Sequence, residues 1–259
     1  MNFKARILQK VISDLRNCYQ VRAIWEGGSA ATATSDQYSD IDINILAADP
    51  INLVFETLQN TLRSVSEISH IWNEPKSFWP DLTQKIYFLK DAPKHFFLDV
   101  AVFPEKADKI LEEFMQLERH GHPVIHFDDT GRIKTQHINK QATLEKHRKR
   151  LSEIMEAFPA YRTNVFKELD RGHSIDAFAF YQGGMLRPLV EVLGMLYRPF
   201  QSDFGLRYLN RTFPVESCRS IEKFLYVTNL DDLRNKATEL EKLFYDSVAQ
   251  AEKSLERTK

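Results

Sequence analysis

The sequence lacks the features that mark several classes of protein. Its first twenty residues contain no uninterrupted apolar stretch, so we expect neither a signal peptide nor a membrane span and take the cytoplasm as the default location. The two cysteines, Cys18 and Cys218, match no metal or redox spacing, which suits a reducing compartment where both remain thiols. No internal repeat or low-complexity segment is present. We therefore expect an ordinary globular protein.

The sequence also lacks an excess of charge of either sign. It has 35 Lys and Arg against 36 Asp and Glu, a formal net charge of −1. Such a chain has no overall field to attract nucleic acid or an anionic membrane, and we expect neither as a partner. The basic run at residues 146–150 is flanked by acidic residues and predicts a solvated helix face. A polyanionic ligand would therefore have to be bound by a local group of residues rather than attracted by the net charge of the protein.

The first half of the chain alternates between strand and helix patterns. Short runs rich in branched and aromatic residues predict strands, and segments with apolar residues at helical spacing predict helices. Asp49-Pro50 has the form of an N-cap followed by proline at the first helical position. The predicted strands lie at residues 21–25, 41–46, 67–72, 84–90 and 95–103, followed by an apolar run at 123–127; the helices lie near 3–15, 50–65 and 106–119.

From about residue 139 the pattern is almost entirely helical, with prolines that end or bend the segments. The whole chain therefore predicts an α+β fold in which an α/β sheet domain, residues 1–133, precedes a C-terminal helical bundle, residues 134–259. The predicted helices of the bundle are 140–158, 160–171, 174–197, 203–210, 214–227 and 230–256.

Two aspartates lie at the start of the second predicted strand. Asp40 and Asp42 are two residues apart, so the period of a strand places both carboxylates on one face. Two neighbouring carboxylates repel each other, and burying them is costly unless they share a cation. Mg²⁺ suits this role because it takes oxygen ligands from one or two carboxylates and from substrate phosphates.

A small turn precedes the aspartates. Gly27, Gly28 and Ser29 follow the first predicted strand, and ten residues separate Ser29 from Asp40. Glycines let the backbone approach a phosphate, the serine offers a hydroxyl, and a helix starting here would direct free N–H groups at an anion. We predict that this turn binds phosphate.

A third aspartate lies in an otherwise apolar strand. Asp99, within the sequence FFLDVAVF, should be exposed at a site or be paired. Three carboxylates on adjacent strands can hold two metal ions, which would activate an attacking hydroxyl and stabilise the leaving group of a phosphoryl or nucleotidyl transfer. A structural ion pair is the alternative for Asp99.

The combination of Gly28-Ser29, ten residues, Asp40-Ile41-Asp42 and a later Asp99 resembles the nucleotidyltransferase superfamily typified by DNA polymerase beta. With Tyr38-Ser39 before the aspartates and a helical second half, it is similar to the aminoglycoside-type nucleotidyltransferases. The motifs span residues 21–103. Many relatives carry a further Gly or Arg after Gly-Ser, whereas residues 30–34 contain neither.

This resemblance implies a polymerase-beta-like sheet domain and transfer of AMP from ATP to a hydroxyl of a small molecule, such as an aminoglycoside-like antibiotic, with release of pyrophosphate. It implies that Asp40, Asp42 and Asp99 hold Mg²⁺, and that the Gly27–Ser29 turn seats the β and γ phosphates. The expected assembly is a monomer or homodimer. The alternatives are a regulatory nucleotide-binding protein, such as a minimal-nucleotidyltransferase antitoxin, and a protein-AMPylating enzyme.

Similar enzymes use an acidic residue of the helical domain as general base. Arg187 and Glu191 lie four residues apart within an apolar segment, so they could meet the nucleotide and the acceptor. An i,i+4 ion pair between them is the alternative, and Glu168 and Asp176 are rival bases.

Three further features have alternative structural explanations. His120, His122 and His126 suggest zinc if they share one strand, although a solvated strand edge is simpler. Phe78-Trp79-Pro80 suggests an aromatic wall or loop packing. Gly183-Gly184 inside a helical pattern predicts a close helix contact or a bend.

Overall fold

The computed structural model describes residues 2–75 and 82–257. The chain divides into two compact units, Met1–Ile138 and Asn139–Lys259. The first contains a sheet and the second is helical, so the predicted α+β class, with a sheet domain ahead of a helical region, is confirmed. Within the described part of the chain, none of the helices combines the length and apolar character needed to cross a membrane.

In its described residues, 2–75 and 82–138, the first unit has six strands and five helices. They are α1 Phe3–Arg16, β1 Val21–Glu26, α2 Gly28–Ala31, β2 Ile41–Ala47, α3 Asn52–Arg63, β3 Ile68–Asn73, β4 Thr83–Leu89, β5 Leu98–Pro104, α4 Asp108–Phe114, α5 Leu117–His120 and β6 Val124–Asp128.

The six strands form one mixed sheet in the order β3-β4-β5-β2-β1-β6. The central strands β2 and β5 are parallel, and every other neighbouring pair is antiparallel. Helices α1 and α3 cover one face, where their apolar stripes pack on alternate residues of the central strands, such as Ile43, Ile45 and Val100.

The opposite face of the sheet is covered only in part. Leu46 and Phe103, near the carboxyl ends of the parallel strands, pack against α4 in a second apolar cluster with Trp25. Toward the amino ends of the same strands, this face carries Asp42 and Asp99. The fold thus buries one end of this face, whereas the acidic residues at the other end line a cavity.

The second unit contains two long helices and several shorter ones. In chain order they are α6 Lys140–Arg171, α7 Ser174–Phe180, a π-helical segment Tyr181–Leu186, α8 Arg187–Tyr197, a 3-10 segment Pro199–Phe204, α9 Leu209–Thr212, α10 Val215–Leu225 and α11 Leu230–Arg257. Their apolar faces form one core, in which the rings of Phe158 and Phe244 stack with centroids 3.7 Å apart.

Several predicted boundaries are wrong. Helix α6 runs through Pro159 rather than ending there, because core residues on both sides, including Phe158 and Val165, hold the helix together. The helix predicted at 106–119 is divided by the extended backbone of Gln116. Helix α3 begins at Asn52, and the residue preceding it is Ile51, so Asp49 is not its N-cap.

Gly183 and Gly184 lie in the π-helical segment, and the predicted close helix contact is confirmed at one of them. A Cβ at Gly184 would lie 2.5–2.6 Å from atoms of Tyr161 on α6, whereas a Cβ at Gly183 would meet nothing within 4 Å.

Candidate active site

The three aspartates lie at the same end of the two central strands. Asp42 and Asp99 are direct partners in the parallel register of β2 and β5. Asp40 comes just before β2, and its Oδ1 accepts a hydrogen bond of 3.0 Å from the backbone N–H of Phe97, just before β5. Pairing of the strands therefore brings together acidic residues separated by more than fifty positions in the chain.

The glycine turn packs directly on these residues. The backbone N–H of Gly27 donates to the carbonyl oxygen of Asp42 at 3.0 Å. Gly28 has φ of 53°, and a Cβ there would lie 1.9 Å from Oδ2 of Asp42. A Cβ at Gly27 would lie 2.8 Å from Nδ2 of Asn44. Glycine is needed at position 28, where the positive φ and the collision with Asp42 both exclude a larger residue, whereas a Cβ at position 27 would require the Asn44 amide to shift.

Ser29 is tied into the same arrangement. Its backbone N–H donates to the Asp42 carboxylate, which lowers the pKa of that group against the stronger effects of its surroundings. Its hydroxyl accepts a hydrogen bond of 3.1 Å from Ser35. The helix that begins here, α2, has four residues. The turn thus anchors an aspartate as well as offering polar groups to a ligand.

Burial raises the pKa of all three aspartates. Desolvation is the main cause for Asp99, whose pKa rises to about 6 although hydrogen bonding from Gln84 acts in the opposite direction. Desolvation also raises the pKa of Asp42, and the charges of Asp40 and Glu26 add to the effect. For Asp40 desolvation is again the largest cause. Carboxylates in this situation are stabilised by a nearby cation.

A cavity of about 160 Å³ lies on the open face of the sheet beside these groups. Asp42, Asp99 and Gln84 line it together with Gly27 and Gly28. Apolar and aromatic side chains complete the wall, among them Trp25, Phe114, Met115 and His120, whose ring stacks on Phe114 with centroids 5.2 Å apart. The cavity therefore joins an acidic end to an apolar end.

The donor set at the acidic end fits a hard divalent cation. Mg²⁺ binds through one or two carboxylates and completes its shell with water and phosphate oxygens. Asp42 and Asp99, as register partners, offer such a pair. The missing side chain at Gly28 leaves space beside Oδ2 of Asp42 that a Cβ would fill. For Asp40 to bind the cation with its whole carboxylate, the carboxylate would have to rotate away from the backbone N–H of Phe97.

Another acidic cluster occurs in the helical unit. Among residues 2–75 and 82–257, one group of three His, Cys, Asp or Glu side chains places its ligand atoms within 4.8 Å of one another: Glu168, His173 and Asp176. The three sheet aspartates are therefore spaced more widely. Arg171 and His173 hydrogen-bond the two oxygens of Glu168 at 2.5 and 2.8 Å, so both oxygens of this carboxylate already have partners on the helical unit.

The two rival bases of the sequence analysis, Glu168 and Asp176, thus lie together. Hydrogen bonding from His173 is the largest cause of a lowered pKa at Glu168. A carboxylate held in this way is a weaker proton acceptor. Either residue as general base stays a prediction.

Glu191 and Arg187 lie on α8. The carboxylate of Glu191 accepts hydrogen bonds of 2.6 and 3.0 Å from Arg150 on α6, so the ion pair it forms is with Arg150 rather than with Arg187. Arg187 is exposed. Their predicted roles toward the acceptor and the nucleotide stay predictions. The basic run containing Arg150 is partly engaged in such contacts within the bundle.

The three histidines do not share a strand. His120 ends α5 and stacks on Phe114, whereas His126 lies in the edge strand β6 and bonds Glu26 at 2.9 Å. His122 is exposed on the connection between them. The zinc alternative is not supported among the described residues, since these three do not form a ligand group.

Two further acidic residues of the sheet domain can be placed relative to the site. Glu74 adds to the raised pKa of Asp99, so its charge lies near the site. Glu105 follows the far end of β5, about 20 Å along the strand from Asp99, and pairs with Arg22 at 3.5 Å. Asp81 and the segment Phe78-Trp79-Pro80 lie outside the described residues.

Two polar residues of the site were not predicted from the sequence. Gln84 donates its side-chain amide to both oxygens of Asp99 at 2.8 Å. Asn44 is 8% exposed and lines the cavity. A signal was present for Asn44, a polar residue between Ile43 and Ile45 at the parity of Asp42. Gln84 lies between the polar residues Thr83 and Lys85, so only the pairing of β4 with β5 distinguishes it.

No protein-family model and no curated protein sequence matches the chain. Among solved structures, it is similar to an aminoglycoside 6-adenyltransferase from Bacillus subtilis, with 11% identity and a TM-score of 0.38 over 98% of this chain and 92% of that one. It is also similar to a spectinomycin adenyltransferase from Enterococcus faecialis with ATP and spectinomycin, with 9% identity and a TM-score of 0.36 over 96% and 99%. Both of these proteins are adenyltransferases.

Proposed function

We propose that the protein is a Mg²⁺-dependent nucleotidyltransferase that moves AMP from ATP to a hydroxyl of a small molecule, of which an aminoglycoside-like compound is one candidate. The observation that carries this proposal is the direct pairing of Asp42 with Asp99 on parallel strands, beside a glycine turn and within one cavity. Burial, followed by repulsion from neighbouring carboxylates, raises the pKa of both Asp42 and Asp99, so bound cations would relieve an unfavourable arrangement.

In this proposal, Asp42 and Asp99 hold the cation, and Asp40 joins them for a second ion. Bound Mg²⁺ would neutralise the negative charge that develops on the phosphate oxygens. The Gly27–Ser29 turn would seat the β and γ phosphates, where the small residues let the chain approach closely. Catalysis would then consist mainly of positioning and charge stabilisation.

The reaction itself is a single displacement. The acceptor oxygen forms a bond to the α-phosphorus of ATP, and the bond from that phosphorus to the β-phosphate bridging oxygen breaks. Pyrophosphate leaves, and the hydroxyl proton passes to a carboxylate or to water. Asp99 would help to activate the acceptor hydroxyl by holding the cation beside it.

The test is incubation of the protein with Mg²⁺, ATP labelled in the α-phosphate, and a panel of small molecules with free hydroxyls, including aminoglycosides. We expect pyrophosphate release that depends on both acceptor and Mg²⁺, together with a labelled product. Asp42→Asn should abolish both. Asp129→Asn changes an exposed aspartate outside the cavity and should leave both unchanged.

Other outcomes would favour the alternatives. Mg²⁺-dependent ATP binding without turnover of any acceptor would support a regulatory nucleotide-binding protein. Label that appears on added protein rather than on a small molecule would support protein AMPylation. Turnover that survives Asp42→Asn would show that the site has been placed wrongly.

A further inference from the structure

The carboxylate of Asp99 is anchored differently from those of its two neighbours. Backbone N–H groups hold the others, that of Phe97 for Asp40 and that of Ser29 for Asp42. Among the described residues, the hydrogen-bond donor to the Asp99 carboxylate is a side chain, that of Gln84. The orientation of this aspartate therefore depends on a residue that can be changed without altering the backbone.

Gln84 reaches Asp99 from the neighbouring strand. In the antiparallel register of β4 and β5, Gln84 lies opposite Ala101 and Ile86 lies opposite Asp99, so Gln84 and Asp99 are diagonal neighbours on one face. Its Nε2 is 2.8 Å from each of the two carboxylate oxygens. An aspartate carboxylate turns easily about its terminal torsion, and hydrogen bonds to both oxygens restrict that rotation.

The chemistry of the anchor also matters. A lysine or arginine at this place would hydrogen-bond Asp99 but would also neutralise it. The amide of glutamine donates hydrogen bonds while carrying no net charge, so Asp99 keeps its negative charge for a cation. Partners of this kind orient metal ligands in many proteins, and their loss costs about tenfold to a hundredfold in metal affinity or activity.

We propose that Gln84 is a positioning residue that fixes the Asp99 carboxylate for the cation and the acceptor. This inference rests on the proposed function, because it assigns Asp99 to the reaction. It adds a residue whose effect is indirect: Gln84 acts through Asp99 and needs no contact with the reacting atoms.

Two substitutions separate the parts of this proposal. Gln84→Met keeps the length of the side chain and removes the donor. Gln84→Lys keeps a donor and adds a positive charge beside Asp99. The matched control is Gln136→Met, since the Gln136 amide makes a hydrogen bond of the same length, 2.8 Å, to the backbone carbonyl of Glu112 and does not line the active-site cavity.

The first measurement is binding of Mn²⁺, followed by electron paramagnetic resonance of the free ion, in the presence of an ATP analogue with a methylene group between the α and β phosphorus atoms. No turnover is needed for this readout. We expect Gln84→Met to weaken Mn²⁺ binding about tenfold and Gln84→Lys to weaken it further. Gln136→Met should bind as the unmodified protein does.

The second measurement is steady-state transfer. We expect Gln84→Met to lower kcat about tenfold or more with little change in the KM for ATP, because the nucleotide is seated mainly by the glycine turn. A general loss of folding would instead lower Tm and the fraction of folded protein at the assay temperature. Thermal unfolding of each variant therefore accompanies the kinetics.

The outcomes are distinct. If the unmodified protein binds no metal and turns over no acceptor, the proposed function fails. If it does both and Gln84→Met behaves in the same way, the positioning role is wrong. Tighter Mn²⁺ binding by Gln84→Met would show that the amide competes with the cation, which also overturns the proposal. Gln84→Lys with undiminished metal binding would contradict the requirement for a neutral donor.

Discussion

At the scale of single residues, the candidate site consists of groups that are unfavourable in the protein alone. Three aspartates have raised pKa values because they are desolvated, and two of them also because they face other carboxylates. A glycine with positive φ lies against one of these side chains. Proteins accept such costs at functional sites, where a ligand relieves them.

The raised pKa of Asp99 predicts a measurable stability cost. The ordinary pKa of an aspartate is 3.8, and that of Asp99 in the folded chain is about 6, so the folded state binds the proton more tightly than the unfolded state does. Stability should therefore fall as pH rises from about 4 to 6, and the cost should persist above pH 6. A shift of this size corresponds to at most about 3 kcal/mol.

Asp99→Asn should accordingly stabilise the metal-free protein at pH 7.5 by about 1 to 3 kcal/mol, with little effect at pH 4, while transfer activity is lost. Urea unfolding in the presence of EDTA at both pH values measures this difference. Asp129→Asn serves as the exposed control. Equal destabilisation by Asp99→Asn at both pH values would contradict the proposed electrostatic cost.

Gly28 allows a second prediction. It is constrained both by its positive φ and by the contact with Asp42, and Gly131 shares only the first of these constraints. Gly28 and Gly131 both have positive φ, 53° and 67°, but a Cβ meets Asp42 at 1.9 Å in the first case and nothing within 4 Å in the second. Gly131→Ala should cost about 1 kcal/mol, the backbone term alone. Gly28→Ala should cost about 1 to 3 kcal/mol more and abolish nucleotide binding. Urea unfolding and ATP titration test this pair, and equal losses of stability would show that the predicted collision is relieved.

At the scale of elements, the strands could be predicted from sequence better than the helix interruptions. Apolar runs with strand composition marked β1 and β2 almost to the residue, and the period of two indicated which side chains share a face. The pairing of β2 with β5, which places Asp42 beside Asp99, depends on contacts between distant segments and has no local signal. The same holds for the hydrogen bonds of Gln84.

The helices show the limits of local patterns more clearly. Proline predicts a helix end, yet α6 continues through Pro159 because packing on both sides outweighs the lost hydrogen bond. The paired glycines gave a useful signal, since Gly184 packs on Tyr161, but nothing in the sequence specified a π-helical turn. Glu191 pairs with Arg150 on another helix rather than with Arg187, four residues before it in the sequence.

The two glycines of this π-helical segment should respond oppositely to alanine. At Gly183 an added Cβ meets nothing within 4 Å, so Gly183→Ala should stabilise by about 0.5 to 1 kcal/mol through reduced chain entropy. At Gly184 the Cβ would lie 2.5 Å from the Tyr161 ring, so Gly184→Ala should destabilise by about 1 to 3 kcal/mol. Urea unfolding of both variants decides the matter, and changes of the same sign would contradict the close contact.

At the scale of the whole molecule, two separate apolar systems support the two units. The clusters around the sheet draw on residues up to Ile133, whereas the core of the helical unit begins with Leu151 and ends with Leu255. Charges of both signs are almost equal in number, so no overall field favours a polyanion. Recognition of a nucleotide must therefore come from the local arrangement of the candidate site.

The composition of the helical core predicts that residues 139–259 fold when expressed alone. This segment contains every residue of that core, and about 120 residues are enough to bury a stable one. We expect a helical circular dichroism spectrum and a cooperative urea transition.

A shorter fragment, residues 174–259, lacks α6 and with it Phe158, whose ring stacks on Phe244 at 3.7 Å. It also lacks four further core residues: Leu151, Ile154, Val165 and Leu169. It should unfold without cooperativity or remain largely unfolded, because loss of one large core side chain alone costs about 3 to 5 kcal/mol. A broad, non-cooperative transition in the longer fragment would show that the apolar cluster is insufficient to stabilise the helical unit.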